Sequence, residues 1–333
     1  MKGMNEMADS EYTIDMPIMD ELGGATIEIS PQTNPEGLSV VEGEPPLFIH
    51  YYRHNTLAQA NDLIRSRQMD LSLMESKLIR LAISQIVKND DDFRTYSVHV
   101  SQLATILNLP KANVYRAMRD VNESLMSKKI YMRDKEVPTK RGQANYKIIH
   151  WLSSVEYKDG VLTYRLSDEL KPYLIGLNEM FTIYNYDDII SLPTAYSIRL
   201  YELLASWVNK IFDKNRQLDF GDVLLEQDEV MFAIEYLREF FDCKDKYTNS
   251  TSDFISYVID SSIAAINQNT MMQVSYRKHR TSRRLTHLIF KFDNAFTEDS
   301  SISSHYDELK QKYESAQKAQ SYEGEGRDEE YPV

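Results

Sequence analysis

The residues with the most evident chemistry are basic, and their spacing favours contact with nucleic acid. The stretch 277–284 places five fixed positive charges in eight residues, the densest basic cluster of the chain. The charges belong to Arg277, Lys278, Arg280, Arg283 and Arg284. Such a cluster binds phosphates with an affinity that falls steeply as salt concentration rises. It is also compatible with a solvated turn that keeps a β-hairpin soluble, and its place in the fold decides between the two.

A second basic feature lies on a segment with helical spacing. Apolar residues between Val114 and Leu125 recur on one helix face, which leaves Arg116 and Arg119 on the opposite face. An arginine on such a helix can read guanine through paired hydrogen bonds in the major groove of DNA. The alternative is a solvated amphipathic helix with ordinary surface charges.

The elements around these two arginines predict a helix-turn-helix. Ser101 is expected to cap a short helix, and residues 108–110 interrupt the helical pattern. Pro110 suits the first turn of the second helix because its fixed φ is already helical. A strand is predicted at 130–132, and the loop that follows contains basic residues. These are Arg133, Lys140 and Arg141.

A β-hairpin completes the motif. Strand-like runs at 146–152 and 161–166 are joined across residues 158–160, where Asp-Gly is a strong hairpin signal. A helix-turn-helix followed by a β-hairpin is a winged helix, whose wing can touch the DNA backbone or the minor groove. The sequence therefore predicts a winged-helix domain.

A similar pattern recurs further along the chain. Ser72 and Glu75 form a capping box that opens a buried helix, and the preceding stretch 56–67 is predicted to be helical. A shift of 119 residues superposes Ser72 on Ser191, which predicts that Ser191 opens an equivalent helix.

A short helix at 235–241, a longer helix at 249–267 and a hairpin with the basic stretch 277–284 at its tip follow this second helix. We therefore predict an α+β fold of tandem winged-helix domains related by an internal duplication.

Length and charge agree with two domains between acidic ends. We place the domains at 47–178 and 179–295 of the 333 residues. The net charge of −13 comes from the ends, since residues 1–46 carry ten acids against one Lys and residues 296–333 carry ten acids against four bases. We expect both ends to be disordered tails. Residues 51–295 carry 31 acids and 33 bases, which suits a DNA-binding protein with local basic clusters.

The composition predicts a cytoplasmic protein without catalytic chemistry. The sequence shows no secretory signal or membrane span, and its single cysteine excludes an intramolecular disulfide. DNA nickases need a His-hydrophobe-His metal pair, and the seven histidines never stand two residues apart. No Gly-rich phosphate loop is present in the sequence. We expect no catalytic residue, no metal and no cofactor.

Three stretches of the sequence resemble a known family. FTIYNYDDIISLPTAYSIRLYELLASW at 181–207, MESKLIRLAISQI at 74–86 and AINQNTMMQVSYRK at 265–278 are similar to plasmid replication initiators of the Rep type. The resemblance extends from about residue 57 to 292. It implies two winged-helix domains that bind directly repeated origin sequences, called iterons. It also implies recruitment of host helicase and initiator proteins, a monomer–dimer equilibrium and autorepression.

The resemblance also implies which residues contact double-stranded DNA. In the first domain they are Lys111, Asn113, Arg116 and Arg119. In the second domain they are Asn249, Ser250 and Ser252 at the start of a helix, together with the basic wing 277–284. A winged-helix transcriptional regulator without an initiator role would use the same contacts and is the alternative function.

Overall fold

The computed structural model describes residues 47–48, 56–86, 90–106, 121, 123–133, 146–296, 305, 307–311 and 314–315, which belong to one compact unit. Up to residue 166 the described strands are β1 (Leu47–Phe48), β2 (Thr56–Ala60), β3 (Arg67–Gln68), β4 (Thr95–His99), β5 (Lys129–Arg133), β6 (Tyr146–His150), β7 (Leu152–Lys158) and β8 (Val161–Leu166). The helices between them are α1 (Asn61–Arg65), α2 (Leu73–Ser84) and α3 (Val100–Ile106), and residues 123–127 are also helical.

The remainder of the described chain starts with a 3₁₀ turn at Asp168–Leu170. It continues with α4 (Lys171–Leu174), β9 (Phe181–Asn185), α5 (Tyr186–Ser191), α6 (Ala195–Ile211), β10 (Glu229–Ala233) and α7 (Ile234–Phe240). After a turn come α8 (Thr251–Phe254), a π-helical stretch at Ile255–Asp260, α9 (Ser261–Asn269), β11 (Val274–Thr281) and β12 (Arg284–Phe292). The strands form four sheets, ordered β1-β4-β8-β7, β3-β5-β6, β2-β9 and β10-β12-β11.

The described part of the first domain includes the first helix of the predicted helix-turn-helix and the end of the second, and residues 107–120 between them lie outside the described residues. Helix α3 begins at Val100, one residue before the expected cap Ser101. Val121 and Leu125 are buried, which confirms the last two apolar positions of the predicted helix face. The hairpin that follows this helix is β5–β6, with Lys129 paired to His150. Its tip, residues 134–145, is not among the described residues.

The predicted strand 146–152 is two strands in different sheets. Trp151 is fully buried at the bend, so β6 turns into β7 there. Strands β7 and β8 form the predicted hairpin, and Asp159 and Gly160 have φ values of 50° and 79°, as a type I′ turn requires. The β7–β8 hairpin pairs with β4 through β8, whereas the β5–β6 hairpin is the one that directly follows helical residues 123–127 in the chain. The prediction that 146–166 forms one simple wing was therefore wrong.

Helix α2 begins as the sequence predicts, and its second-domain counterpart does not. The Ser72 hydroxyl accepts a hydrogen bond from the Glu75 backbone N–H, and the Glu75 carboxylate accepts one from the Ser72 N–H at 2.7 Å. Ser191 instead ends α5, and Thr194 is the N-cap of α6. Pro193 explains the shift, because a residue before proline is pushed out of the helical region, and Leu192 has an extended ψ of 130°. The internal duplication stays a prediction.

The predicted helix at 56–67 was also wrong in its first half. Residues 56–60 form β2, which pairs antiparallel with β9 from Thr56–Asn185 to Ala60–Phe181. The partner strand lies more than a hundred residues away in the sequence, so a local pattern does not reveal it. This two-stranded sheet connects the N-terminal and C-terminal halves of the described chain.

A buried ionic cluster lies beside this sheet. Arg80 of α2 donates to both carboxylate oxygens of Glu202 of α6, at 2.9 and 2.8 Å, and both side chains are fully inaccessible to solvent. Tyr184 and Gln59 also donate to Glu202, and Arg199 lies 3.4 Å from it. Burial alone would raise the pKa of Glu202, but the charge of Arg80 and the other donors outweigh it and hold that pKa below its usual value.

We expect Glu202→Gln to lower the free energy of unfolding by about 3–5 kcal/mol, because it leaves the buried Arg80 charge uncompensated. Chemical denaturation at neutral pH measures the effect. Because the folded pKa of Glu202 is depressed, its contribution is complete above the ordinary value of 4.5 and is lost as pH falls through the folded pKa.

Asp92→Asn is the matched control, because Asp92 pairs with Arg165 at 2.8 Å but is 55% exposed. An exposed pair contributes less than about 1 kcal/mol. Equal losses of stability in the two variants would contradict the central role of Glu202.

Candidate nucleic-acid interface

The second domain is described throughout, and its helix-turn-helix matches the sequence prediction closely. Helix α7 is the short first helix, and residues 251–269 form one longer helical rod with a π-helical stretch inside it. The predicted core face of this rod is buried. It consists of Phe254, Ile255, Val258, Ile259 and Ile266. The predicted outward face is exposed, including Tyr257 at 64%.

The start of this second helix is held by side chains near the turn. Ser250 is the N-cap of α8, and its hydroxyl accepts the backbone N–H of Asp253 at 3.0 Å. Arg238 of α7 donates to the carbonyl oxygens of Lys246 and Tyr247, each at 3.1 Å. Its guanidinium also lies 4.7 Å from the Phe254 ring centroid. Arg238 therefore fixes the turn that presents the helix start.

The wing of the second domain is longer and its turn tighter than the sequence predicts. Strand β11 continues to Thr281 and β12 begins at Arg284, so only Ser282 and Arg283 form the turn. Both have positive φ, 49° and 73°, as a type I′ turn requires. The expected eight-residue basic tip was wrong, because most of those basic residues lie on the strands. Ser and Arg are not the residues that usually mark a type I′ turn, so the sequence did not reveal that the turn lies at residues 282–283.

Strand alternation sorts the basic side chains onto two faces of the wing. Lys278 and Arg280 point toward a groove between the wing and the helix-turn-helix. Arg277 points the other way and donates to both carboxylate oxygens of Glu229, at 2.7 and 2.8 Å. His279 shares that face and lies 3.2 Å from Asp222.

The ion pair with Arg277 affects the pKa of the Glu229 carboxylate. Burial would raise the pKa of Glu229, but its hydrogen bond from Arg277 helps to hold that pKa below its usual value. Much of the Arg277 charge is thus satisfied within the protein, whereas Lys278 and Arg280, on the groove side of the same strand, have no carboxylate partner among the described residues.

The groove has a volume of about 880 Å³ and is lined by five bases and one acid. The bases are Arg238, Lys244, Lys278, Arg280 and Arg284, and the acid is Glu235. Ser252, at the start of the helix, lies on the opposite wall. The structure therefore brings Ser252 together with three of the predicted wing residues, although they are distant in sequence.

Sequence reasoning missed Arg238 and Lys244 as groove residues. Both lie in or just after α7, which was interpreted only as the first helix of the motif. The signal that could have found them is their position, because the end of the first helix and the following turn flank the start of the second helix. Asn249 is exposed in that same turn.

The charges of the groove are largely uncompensated. Lys278 in the groove and Arg283 in the adjoining turn form no ion pair within the described part of the chain. Arg284 lies 3.4 Å from Glu235, but both side chains are highly exposed, so the pair is weak. Arg280 donates to the backbone carbonyl of Arg283 at 3.0 Å and has no acidic partner among the residues that the structure describes.

Most of the predicted DNA contacts of the first domain lie outside the described residues. Six of its candidate residues lie outside the described residues, and Arg133 is placed only as the last residue of β5. The six are Lys111, Asn113, Arg116, Arg119, Lys140 and Arg141. They stay predictions.

The described ranges contain neither a candidate metal site nor a candidate membrane-spanning helix. No group of three or more His, Cys, Asp or Glu residues there could hold a metal ion. None of the helices in those ranges is long and apolar enough to cross a membrane.

The helix-turn-helix and β-hairpin of the second domain, together with the described helices and β5–β6 hairpin of the first, indicate a protein with two winged-helix domains. Family comparison agrees, since residues 56–205 match the domain described as "Initiator Replication protein, WH1" and residues 233–292 match "Initiator Rep protein, WH2". The chain belongs to this family of initiator replication proteins. The resemblance seen in the sequence is thereby confirmed.

Two relatives give the extent of the similarity. An Escherichia coli protein named "Replication initiation protein" is 29% identical over 181 residues, which are 53% of this chain and 54% of that protein. The matched region thus spans about half the length of this curated relative. The solved "Crystal structure of Pi initiator protein in complex with iteron DNA" is 17% identical, with a TM-score of 0.53 over 73% of this chain and 98% of that one. At that identity the likeness shows a shared fold.

We expect Ser250→Ala to lower the free energy of unfolding by about 0.5–2 kcal/mol, because the variant removes an N-cap. Ser252→Ala is the matched control, since Ser252 is exposed and makes no cap hydrogen bond in the described structure. Thermal or chemical denaturation of both variants measures the difference. If Ser252→Ala destabilised the chain as much, the capping role of Ser250 would be refuted.

Proposed function

We propose that this protein initiates plasmid DNA replication by binding directly repeated double-stranded sites, the iterons, at an origin. The observation that carries the proposal is the basic groove of the second domain, which lies between the start of a recognition helix and a β-wing. A duplex can enter such a groove with the helix in its major groove and the wing along its backbone. Membership of the initiator family and the solved Pi–iteron complex support the same function.

The two domains contribute different kinds of contact in this proposal. In the second domain Lys278, Arg280, Arg283 and Arg284 neutralise phosphates, while Asn249, Ser250 and Ser252 approach the bases or the backbone from the helix start. Such polar side chains read bases less strongly than a bidentate arginine does.

In the first domain Arg116 and Arg119 supply base recognition, with Lys111 and Asn113 beside them. Arg133, Lys140 and Arg141 contact the backbone from the β5–β6 hairpin. Sequence preference is therefore assigned mainly to the first domain, and salt-dependent affinity mainly to the wing of the second domain.

Initiation requires more than DNA binding. We propose that the bound protein recruits host helicase and initiator proteins, exchanges between monomer and dimer, and represses its own gene. It performs no cleavage of the DNA. The deciding experiment supplies the protein in trans to a plasmid that carries only the candidate origin. Replication is expected with intact direct repeats and lost when the repeats are scrambled. DNA binding without replication would favour a transcriptional regulator.

We expect the triple variant Lys278→Ala, Arg280→Ala, Arg283→Ala to weaken binding to all duplex sequences alike. A plot of log affinity against log salt concentration should become less steep, by roughly 0.9 for each lost phosphate contact and for up to three contacts. Fluorescence anisotropy over a range of salt concentrations measures the slope. An unchanged slope would show that the wing stays in solvent.

Arg277→Ala provides the internal comparison for this experiment. Its guanidinium is held by Glu229, whose side chain is only 4% exposed. We expect this variant to lose stability, because a largely buried carboxylate loses its partner, while the salt slope stays the same. A flatter slope would instead place Arg277 among the phosphate contacts.

Arg116→Ala should cost about 1–3 kcal/mol of binding free energy and relax the preference at one base pair. Competition binding against a set of single-base variants of the repeat measures both effects. Uniform weakening across the set would assign Arg116 to the DNA backbone instead.

A further inference from the structure

The basic groove of the second domain carries an excess of positive charge when DNA is absent. Its lining holds five bases against one acid. Two ion pairs lie nearby, both at 3.4 Å: Arg284–Glu235 is largely exposed, and Lys244–Glu239 joins an exposed lysine to a carboxylate that is 28% exposed. Exposed pairs of this kind neutralise little charge. A groove with this charge attracts any flexible anion that can reach it.

The same chain carries a suitable polyanion. Residues 321–333, SYEGEGRDEEYPV, contain five acids and one Arg. The acids are Glu323, Glu325, Asp328, Glu329 and Glu330. Carboxylates spaced along a short segment, with tyrosines at both ends, present the combination of negative charge and aromatic rings that a nucleic-acid strand also presents.

The chain length allows this segment to reach the groove. Residues 307–311 are helical, and Leu309 among them is only 1% exposed. The 18 residues from 316 to 333 can span about 60 Å when extended. A compact unit such as residues 45–333 has a radius of gyration of about 19 Å, so a reach of about 60 Å exceeds the diameter of the folded body.

We propose that residues 321–333 occupy the basic groove in the absence of DNA and compete with duplex for it. A tethered segment has an effective concentration in the millimolar range, so even a weak contact populates the groove. Specific DNA adds base contacts and displaces the segment, whereas non-specific DNA competes on charge alone. Displacing the segment costs the same free energy in both cases, so the segment lowers both affinities by the same factor, and the duplexes with added base contacts are the ones still bound at low protein concentration. This consequence for DNA rests on the proposed function.

The first test neutralises the segment in the full chain with E323Q, E325Q, D328N, E329Q and E330Q. Affinity for non-specific duplex should rise about three- to tenfold at low salt, and the gain should vanish at high salt. Affinity for the specific repeat should rise by a similar factor. An unchanged affinity for non-specific duplex would overturn the proposal.

A matched control separates a local contact from bulk charge. The variant D9N, E11Q, D15N, D20N and E21Q removes the same number of charges from the other acidic end of the chain. It should leave DNA affinity close to that of the unaltered protein. An equal gain in both variants would show that net charge alone is responsible and would overturn the proposal.

The second test needs no DNA and therefore stands apart from the proposed function. A carbodiimide joins a carboxylate to a lysine only where the two are in contact. Mass spectrometry of the treated full chain should find acids of 321–333 joined to Lys244 or Lys278. The absence of both cross-links would overturn the proposal. If the cross-links form but K278A with R280A leaves DNA binding intact, the proposed function fails and the intramolecular contact remains.

Discussion

The burial of Arg80 and Glu202 determines how the two halves of the chain meet. Each side chain comes from a long central helix, α2 or α6, and neither is accessible to solvent. Purely apolar helix faces can pack in several similar registers, but an ion pair in the interior cannot separate without leaving a charge unpaired at a cost of several kcal/mol. The pair thus selects one packing of α2 on α6. Tyr184 and Gln59 donate further hydrogen bonds to the Glu202 carboxylate. These two residues belong to β9 and β2, so the adjoining two-stranded sheet is joined to the ion pair.

This fixed packing extends to the recognition elements of the second domain. Arg67 of β3 pairs with Asp242 in the helix-turn-helix turn at 2.8 Å, and Lys246 of the same turn pairs with Asp70. The turn that presents the second helix is therefore anchored to the first domain as well as to Arg238 of its own domain. Under the proposed function, the spacing of the two contacts along a duplex is set by the protein core. A direct repeat of fixed length suits such a reader better than a site of variable spacing.

The sequence allowed most helices and the wing strands to be predicted, because their apolar periods and the Ser72 capping box are local signals. It failed where the structure depends on distant partners. Thr56 and its neighbours became a strand because β9 pairs with them, and Ser191 lost its expected capping role because Pro193 delays the next helix. For the interface, composition located the basic wing. It could not show that strand alternation turns Arg277 toward Glu229 and Lys278 toward the groove, since both residues have the same local signal.

The charge of a DNA-binding surface depends on pairing more than on the number of bases. Many arginines of the described chain are paired with groups of the protein itself, including Arg65, Arg67, Arg80, Arg165, Arg199, Arg216 and Arg277. Their charges are matched by carboxylates or by backbone carbonyls and contribute little to the outer field. Among the bases that line the groove, Arg238 is bound to backbone carbonyls, whereas Lys278, Arg280 and Arg284 have no buried carboxylate partner in the described structure. A protein with a net charge of −13 can therefore present a strongly positive groove. Its excess of acids over bases lies at the chain ends, and the charges of its paired arginines contribute little to the potential at the surface.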